Sequence, residues 1–244
     1  MGAYPVSAAD RLVVIPSEIK LTGPEAHQTL LVESMDGGLA TKWITDATWA
    51  TADPRIAKVV DGRLLPVGNG KTTVTAAVGG RTASAKVTVE NFDVSHEWSF
   101  RNHVQSVLSK TGCNSGACHG AAAGKNGFKL SLRGYDPEGD FFAITRQSRG
   151  RRIVADDPGR SLFLTKPTNA IPHRGGLRFS EDSAEYRVLA DWIASGQRPP
   201  ADSDPRIVRL EILPGASRLA PGAEQPMLVM AHFDDGHSED VTRW

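Results

Sequence analysis

One short stretch restricts the possible folds more than any other: TGCNSGACHGAAAGKNGF, Thr111 to Phe128. It contains both cysteines of the chain, Cys113 and Cys118, and His119 follows the second directly. Two thiols closed by a histidine supply what covalent haem attachment requires: thioethers to the vinyl groups and an imidazole carried under the iron. Four residues, Asn114 to Ala117, separate the cysteines, where the usual spacing has about two. These four are small or turn-forming, so the extra pair can loop out while both sulfurs reach the porphyrin edge. The competing reading is a structural disulfide, common in exported proteins. A zinc site of the usual kind wants four ligands, and only two cysteines exist.

At 244 residues the chain has room for two or three domains. Net charge is zero, yet residues 97–202 carry 15 Lys+Arg against 11 Asp+Glu. A modestly basic middle suits an anionic cofactor or an acidic partner; nucleic acid usually asks for a larger patch. No apolar run is long enough to span a membrane. The opening MGAYPVSAAD lacks the basic end and apolar stretch of a signal peptide. Because haem c is attached outside the cytoplasm, the expected location is the periplasm or cell surface, with the export signal cleaved or omitted.

From about Arg11 to Phe92 the chain reads as short strands. KTTVTAAV and RTASAKVTVEN alternate apolar and polar residues around Gly79-Gly80, a hairpin turn signal. RLVVIP, QTLLVES, VVDGRL and VGNGK add further strands and turns, which together argue for an all-β sandwich. The run DATWATADPRIAKVVDGRLLPVGNGKTTVTA resembles the bacterial Ig-like group 2 domains of surface and periplasmic proteins. Residues 1–92 are therefore expected to form an Ig-like domain, a spacer or docking module.

The character changes at Asp93. EWSFRNHVQSVLSKTG sets Trp98, Val104, Val107 and Leu108 near one helical face and stops at Gly112. SEDSAEYRVLADWIASGQ starts with Ser180 as a cap, gathers Tyr186, Leu189 and Ile193 on one face, and stops at Gly196. A helix before the cysteine motif and another at the end is the order of a small cytochrome c. The blocks FRNHVQSVLSKTGCNSGACHG, GFKLSLRGYDPEGD, DPGRSLFLTKPT, PHRGGLRF and YRVLADWIASGQ look like the cytochrome-like domain of large planctomycete proteins. That resemblance implies a mainly α, class I cytochrome c-like haem domain over 93–202.

The tail from 203 to 244 repeats the opening of the chain. Leu210, Ile212 and Pro214 mirror Leu12, Val14 and Pro16, and DVTRW mirrors DATW. It reads as the first half of a second Ig-like domain, and the expectation is that the chain is a fragment of a longer protein. Half a sandwich exposes an apolar face, so Leu210, Ile212, Leu228 and Met230 are expected to pack on the haem domain or on another copy.

Site residues follow from these readings. Cys113 and Cys118 anchor one covalent haem c, and His119 is the proximal metal ligand. The methionines are Met1, Met35, Met227 and Met230, none inside the middle segment. That leaves His103, read as an exposed helix residue, and His173 in the loop IPHRGG, read as the distal metal ligand. Within the cluster Arg146, Arg149, Arg151 and Arg152, the last two are expected to hold the haem propionates, with Arg133 and Arg174 as further candidates. The expected function is electron transfer to a redox partner through a haem ligated by two histidines. The alternatives are a haem enzyme or a gas- or peroxide-binding module with an open distal site, and a haem-free surface interaction protein with a disulfide.

Overall fold

A computed structural model describes residues 11–244; the opening MGAYPVSAAD, read above for a signal peptide, lies outside the described residues. Alternation builds the first part as expected. β9 (Gly70–Val78) and β10 (Arg81–Glu90) form a hairpin in antiparallel register, Val78 opposite Arg81 and Val74 opposite Ala85. Gly79 and Gly80 both take positive φ, 54° and 78°, the geometry a two-residue turn needs to match strand twist. One face of the hairpin buries Val74, Ala76, Ala85, Val87 and Val89, and the other stays wet.

Around this hairpin the other strands form small sheets. β2 (Glu18–Thr22) runs parallel to β10, and β6 (Thr48–Thr51) pairs with β9, giving the order β2-β10-β9-β6. β1 (Arg11–Ile15), β4 (Leu31–Asp36) and β5 (Leu39–Trp43) form a second sheet. β3 (Gln28–Thr29), β8 (Arg63–Pro66) and β7 (Ala57–Val60) form a third. Leu12, Val14, Leu21, Val32 and Leu64 join the hairpin's valines in a single core.

The tail supplies the fourth sheet: β11 (Ile207–Leu213), β12 (Leu228–Phe233) and β13 (Ser238–Asp240). It clusters with the first part in one β unit, residues up to His96 together with Pro205–Arg243. Asp240 accepts a hydrogen bond from the Thr29 amide at 2.6 Å, and Gln225 donates to buried Glu33 at 2.7 Å. Arg218 pairs with Asp36, and the amide of Ala40 bonds the carbonyl of Ala216 at 3.0 Å. The tail thus packs on the first repeat, where the sequence suggested the haem domain or another copy. Leu228 is buried there, but Leu210 and Ile212 remain exposed.

The second unit is Glu97–Asp204 with Trp244. Ser99 caps a π-helical turn, Phe100–Val104, which runs into α1 (Gln105–Lys110). α2 (Pro137–Thr145) is capped by Asp136, and α3 (Leu162–Thr165) is a single turn. α4 (Ala184–Ala194) is capped by Ser183, not by Ser180, and ends before Gly196. Phe100 and Trp192 meet at 5.4 Å between ring centroids, Phe141 packs on both rings and Phe163 on Trp192. Buried rings of this size carry most of such a small core. Arg198 ties the two ends of the unit together, reaching Glu97 at 3.2 Å and Asp204 at 3.6 Å.

The fold class expected from the sequence is overturned. The described residues hold thirteen strands in four small sheets against four short α-helices, so the chain is mostly β. The helices of the middle unit have 6, 9, 4 and 11 residues, which leaves most of that unit in turns and loops. It is not a mainly α class I cytochrome c-like domain. The physical cause lies in the glycines, prolines and asparagines of 112–136 and 146–183, which terminate helices almost as soon as they start. No helix among the described residues is long and apolar enough to cross a membrane.

Candidate functional site

The site is built by the turns that follow α1. Thr111 and Gly112 close the helix, and the Cys113 amide bonds back to the Leu108 carbonyl at 2.9 Å. The four residues between the cysteines then fold into a loop. The Cys118 amide bonds Ser115 O at 3.0 Å, and the His119 amide bonds Cys113 O, also at 3.0 Å. This last bond brings the histidine back beside the first cysteine in spite of the longer spacing. Gly120 is required at the crossing, since a Cβ there would collide with the Asn114 carbonyl.

Cys113, Cys118, His119 and His173 all line one cleft of about 1020 Å³. Its apolar walls come from Leu108, Phe128, Leu130, Phe163 and Phe179. Both cysteines are free thiols. Burial raises the Cys113 thiol above its ordinary value, partly offset by a hydrogen bond with the Thr111 hydroxyl and by the charge of Arg178. Arg178 lies 3.4 Å from the Cys118 sulfur. It was not singled out from the sequence, and only its position in PHRGGLRF, among the residues around His173, hinted at a role.

The two imidazoles are held alike. His119 Nδ1 lies 3.0 Å from the Phe128 carbonyl, and His173 Nδ1 lies 2.9 Å from the Gly176 carbonyl. A carbonyl only accepts, so each Nδ1 carries a proton, and in a neutral ring Nε2 is then the nitrogen with the lone pair. Burial lowers the His119 pKa, which favours that neutral form. Anchoring one ring nitrogen through a carbonyl is how proteins orient a histidine whose other nitrogen is to be a ligand.

The arginines separate into different groups. Arg151 and Arg174 are exposed and line the cleft, beside Lys125 and Lys166. Arg152 also lines it, but its guanidinium is buried: it donates to the carbonyls of Ala143, Gln147 and Gly127 and stacks on Phe128 at 4.3 Å. Its donors are committed to holding loops together. Arg133 is exposed in a left-handed turn and does not line the cleft; neither do Arg146 and Arg149. His103 is buried rather than exposed, accepting from the Ser99 amide at 3.1 Å with its ring against Trp98.

Among the described residues no three His, Cys, Asp or Glu side chains converge as a set able to hold a metal ion. The expectation of a metal-binding cytochrome is corrected accordingly, in its fold as above and in its protein-made metal site here. What the cleft brings together is two thiols and two imidazoles on apolar walls, with cations at its edge.

No family model matches the chain, and no curated protein matches it. Among solved structures it is similar to domains 4 and 5 of the S-layer protein SbsC, with 16% identity over 35% of this chain and 47% of that one, at a TM-score of 0.28. A longer piece of the same S-layer protein, rSbsC(31-844), gives 15% identity over 35% of this chain and 13% of that one, at a TM-score of 0.29. The chain thus spans less than half the length of either.

Proposed function

We propose that the cleft takes one haem, which Cys113 and Cys118 would hold through thioethers and His119 and His173 would hold at the iron. The reading rests on one observation: both thiols and both imidazoles line the same apolar-walled cleft, and each imidazole is fixed with Nε2 free. A porphyrin brings four nitrogens of its own, so two histidines suffice where a bare metal ion would need a larger protein set. When bound, haem supplies one-electron iron chemistry.

The chain's own residues set the terms of that chemistry. Phe128, Leu130, Phe163 and Phe179 would exclude water, which favours the less charged ferrous state and raises the potential, whereas two imidazoles in place of a methionine would lower it. Arg151, Arg174, Lys125 and Lys166 offer positive charge to two carboxylates at the rim; Arg152 supports the wall behind them. The protein would then pass single electrons to a redox partner, in the periplasm or at the cell surface, where thioethers to haem are made. The resemblance to planctomycete haem proteins with Ig-like flanks belongs to the same proposal.

Expression with a haem-attachment system tests it. The denatured protein should keep its haem through acid-acetone extraction and give the pyridine haemochrome of two saturated vinyls. The ferric spectrum should be low-spin, and His173→Ala should make it high-spin or open to cyanide. Haem that extracts completely overturns the covalent reading. A wild-type spectrum that is high-spin and unchanged by His173→Ala overturns the two-histidine reading and leaves an open site.

A further inference from the structure

Glu33 carries a carboxyl group at 0% exposure in the middle of β4, opposite Val13 of β1 and Trp43 of β5. Its neighbour Val32 belongs to the core of the first repeat, so alternation turns Glu33 to the other face, toward the tail. There Gln225 Nε2 donates to Glu33 Oε1 at 2.7 Å and to the Pro226 carbonyl at 2.9 Å. A peptide carbonyl cannot donate, so the Pro226 bond fixes which end of the carboxamide carries the hydrogens, and both hydrogens are then in use. Two buried acceptors are left without a partner among the described residues: Glu33 Oε2 and Gln225 Oε1. They belong to the same pair of side chains. Acceptors cannot satisfy one another, and burying them unpaired is costly. One hydrogen on Glu33 Oε2, shared with Gln225 Oε1, answers both.

We propose that Glu33 is held as a neutral carboxylic acid, paired edge to edge with the Gln225 carboxamide, and that this pair is a proton-operated clasp between β4 and the tail. Glu33 Oε2 donates to Gln225 Oε1 while Glu33 Oε1 accepts from Nε2. Loss of the proton puts a buried anion against the Gln225 carbonyl oxygen and opens the pair. Burial raises the Glu33 pKa and outweighs the opposing hydrogen bond from Gln225. The clasp is therefore complete below the ordinary glutamate value, about 4.3, and is lost as pH rises through the folded value. The charged groups on the surrounding elements are Arg11, Lys42 and Asp36 on the strands and Arg218 and Glu224 in the tail. Arg218 is taken by Asp36, and none of them bonds the Glu33 carboxyl. Beside the clasp the seam is held by the Ala40 amide on Ala216 O at 3.0 Å and the Arg218 amide on Ala40 O at 2.8 Å. His27 and Asp240 lie at its other end. The join is firm with the proton in place and a hinge without it.

Two measurements on the chain test this. The carboxyl carbon of Glu33, followed by NMR, should titrate above the exposed glutamates. A Glu33 carboxyl that titrates with or below them overturns the neutral pair, whatever the variants do. Amide-exchange protection at Ala40 and Arg218, corrected for base catalysis, should fall at least about tenfold between about pH 5 and about pH 9. Protection at Val74 and Val87 should stay level. Glu33→Gln keeps a donor and an acceptor in the same places at every pH, so its protection at Ala40 and Arg218 should not fall. A wild type with no fall, or a Glu33→Gln variant that falls as the wild type does, overturns the clasp.

Discussion

The β unit and the helical unit solve the same problem with opposite means. In the β unit the backbone groups satisfy one another along ladders, and side chains are left free to form one wide core from Leu12 to Val89. In the helical unit short helices satisfy few of these groups, and turns and side chains take the rest, as when Asp140 accepts from Ser131 and Gln105. Its core is correspondingly narrow, centred on Trp192 and Phe100. The loops enclose the cleft of about 1020 Å³, whereas the pocket beside Val60, Arg63 and Arg243 in the β unit has about 300 Å³. A binding site thus falls where local structure is least regular, on a frame of a few buried rings.

The largest test of that contrast is Trp192→Ala. Removing a wholly buried ring should cost about 3–5 kcal/mol and unfold Glu97–Asp204, while amide exchange in β9 and β10 continues as before. Leu64→Ala is the converse. It should cost about 2–4 kcal/mol in the β unit and leave the near-ultraviolet signal of the tryptophan cluster unchanged. If either substitution melts both units together, the two cores are energetically one.

A smaller loss is expected from Gly120→Ala, about 1–3 kcal/mol, because the new Cβ must displace the Asn114 carbonyl. Its effect on thioether formation should exceed its effect on stability, since it opens the loop that brings His119 back to Cys113. Mass spectrometry of haem attachment beside a urea titration separates the two.

Acid acts on the β unit from two sides. Burial, before any charge effect, holds His27 below the ordinary imidazole value. Its contribution is present above about pH 6.5 and is lost as pH falls, since the unfolded chain binds the proton more readily. His237 is raised, first by its hydrogen bond with Glu239 and also by Asp235. Its contribution is complete below about pH 6.5 and is lost as pH rises through the folded value. Urea midpoints against pH should therefore lose their acid-side fall in His27→Gln and their acid-side support in His237→Gln.

The smallest effect belongs to Lys86→Ala. Its ion pair with Glu18 is exposed on both sides, 82 and 75%, so less than about 0.5 kcal/mol should change.

The same contrast explains what could be read in advance. Period-two alternation and Gly79-Gly80 specify the β9–β10 hairpin, because strand burial repeats on a scale visible in sequence. The likeness of the tail to RLVVIP is visible in the same way, and β1 with β4 and β11 with β12 each pair antiparallel. The helical unit was over-read. Apolar residues at helical spacing do not reveal that α1 stops after 6 residues or that α3 has only 4. The cysteines and histidines of the cleft could be named because elimination left so few. Arg152 reads from the sequence as a propionate partner and instead clasps three carbonyls, because such a guanidinium and one that faces a ligand look alike in sequence. The burial of His103 depends on Trp98 and on a π-helical turn, neither of which a 3.6-residue pattern contains.

One contact has a wider meaning. Arg198 draws Glu97 and Asp204 together, so the helical unit begins and ends at a single point. A segment with joined ends can be spliced between two β repeats, or removed from them, without stretching either neighbour. The cleft is in that sense a cartridge. Duplication of the sheets need not duplicate it, and an array of such repeats can lengthen while carrying one site, many sites or none.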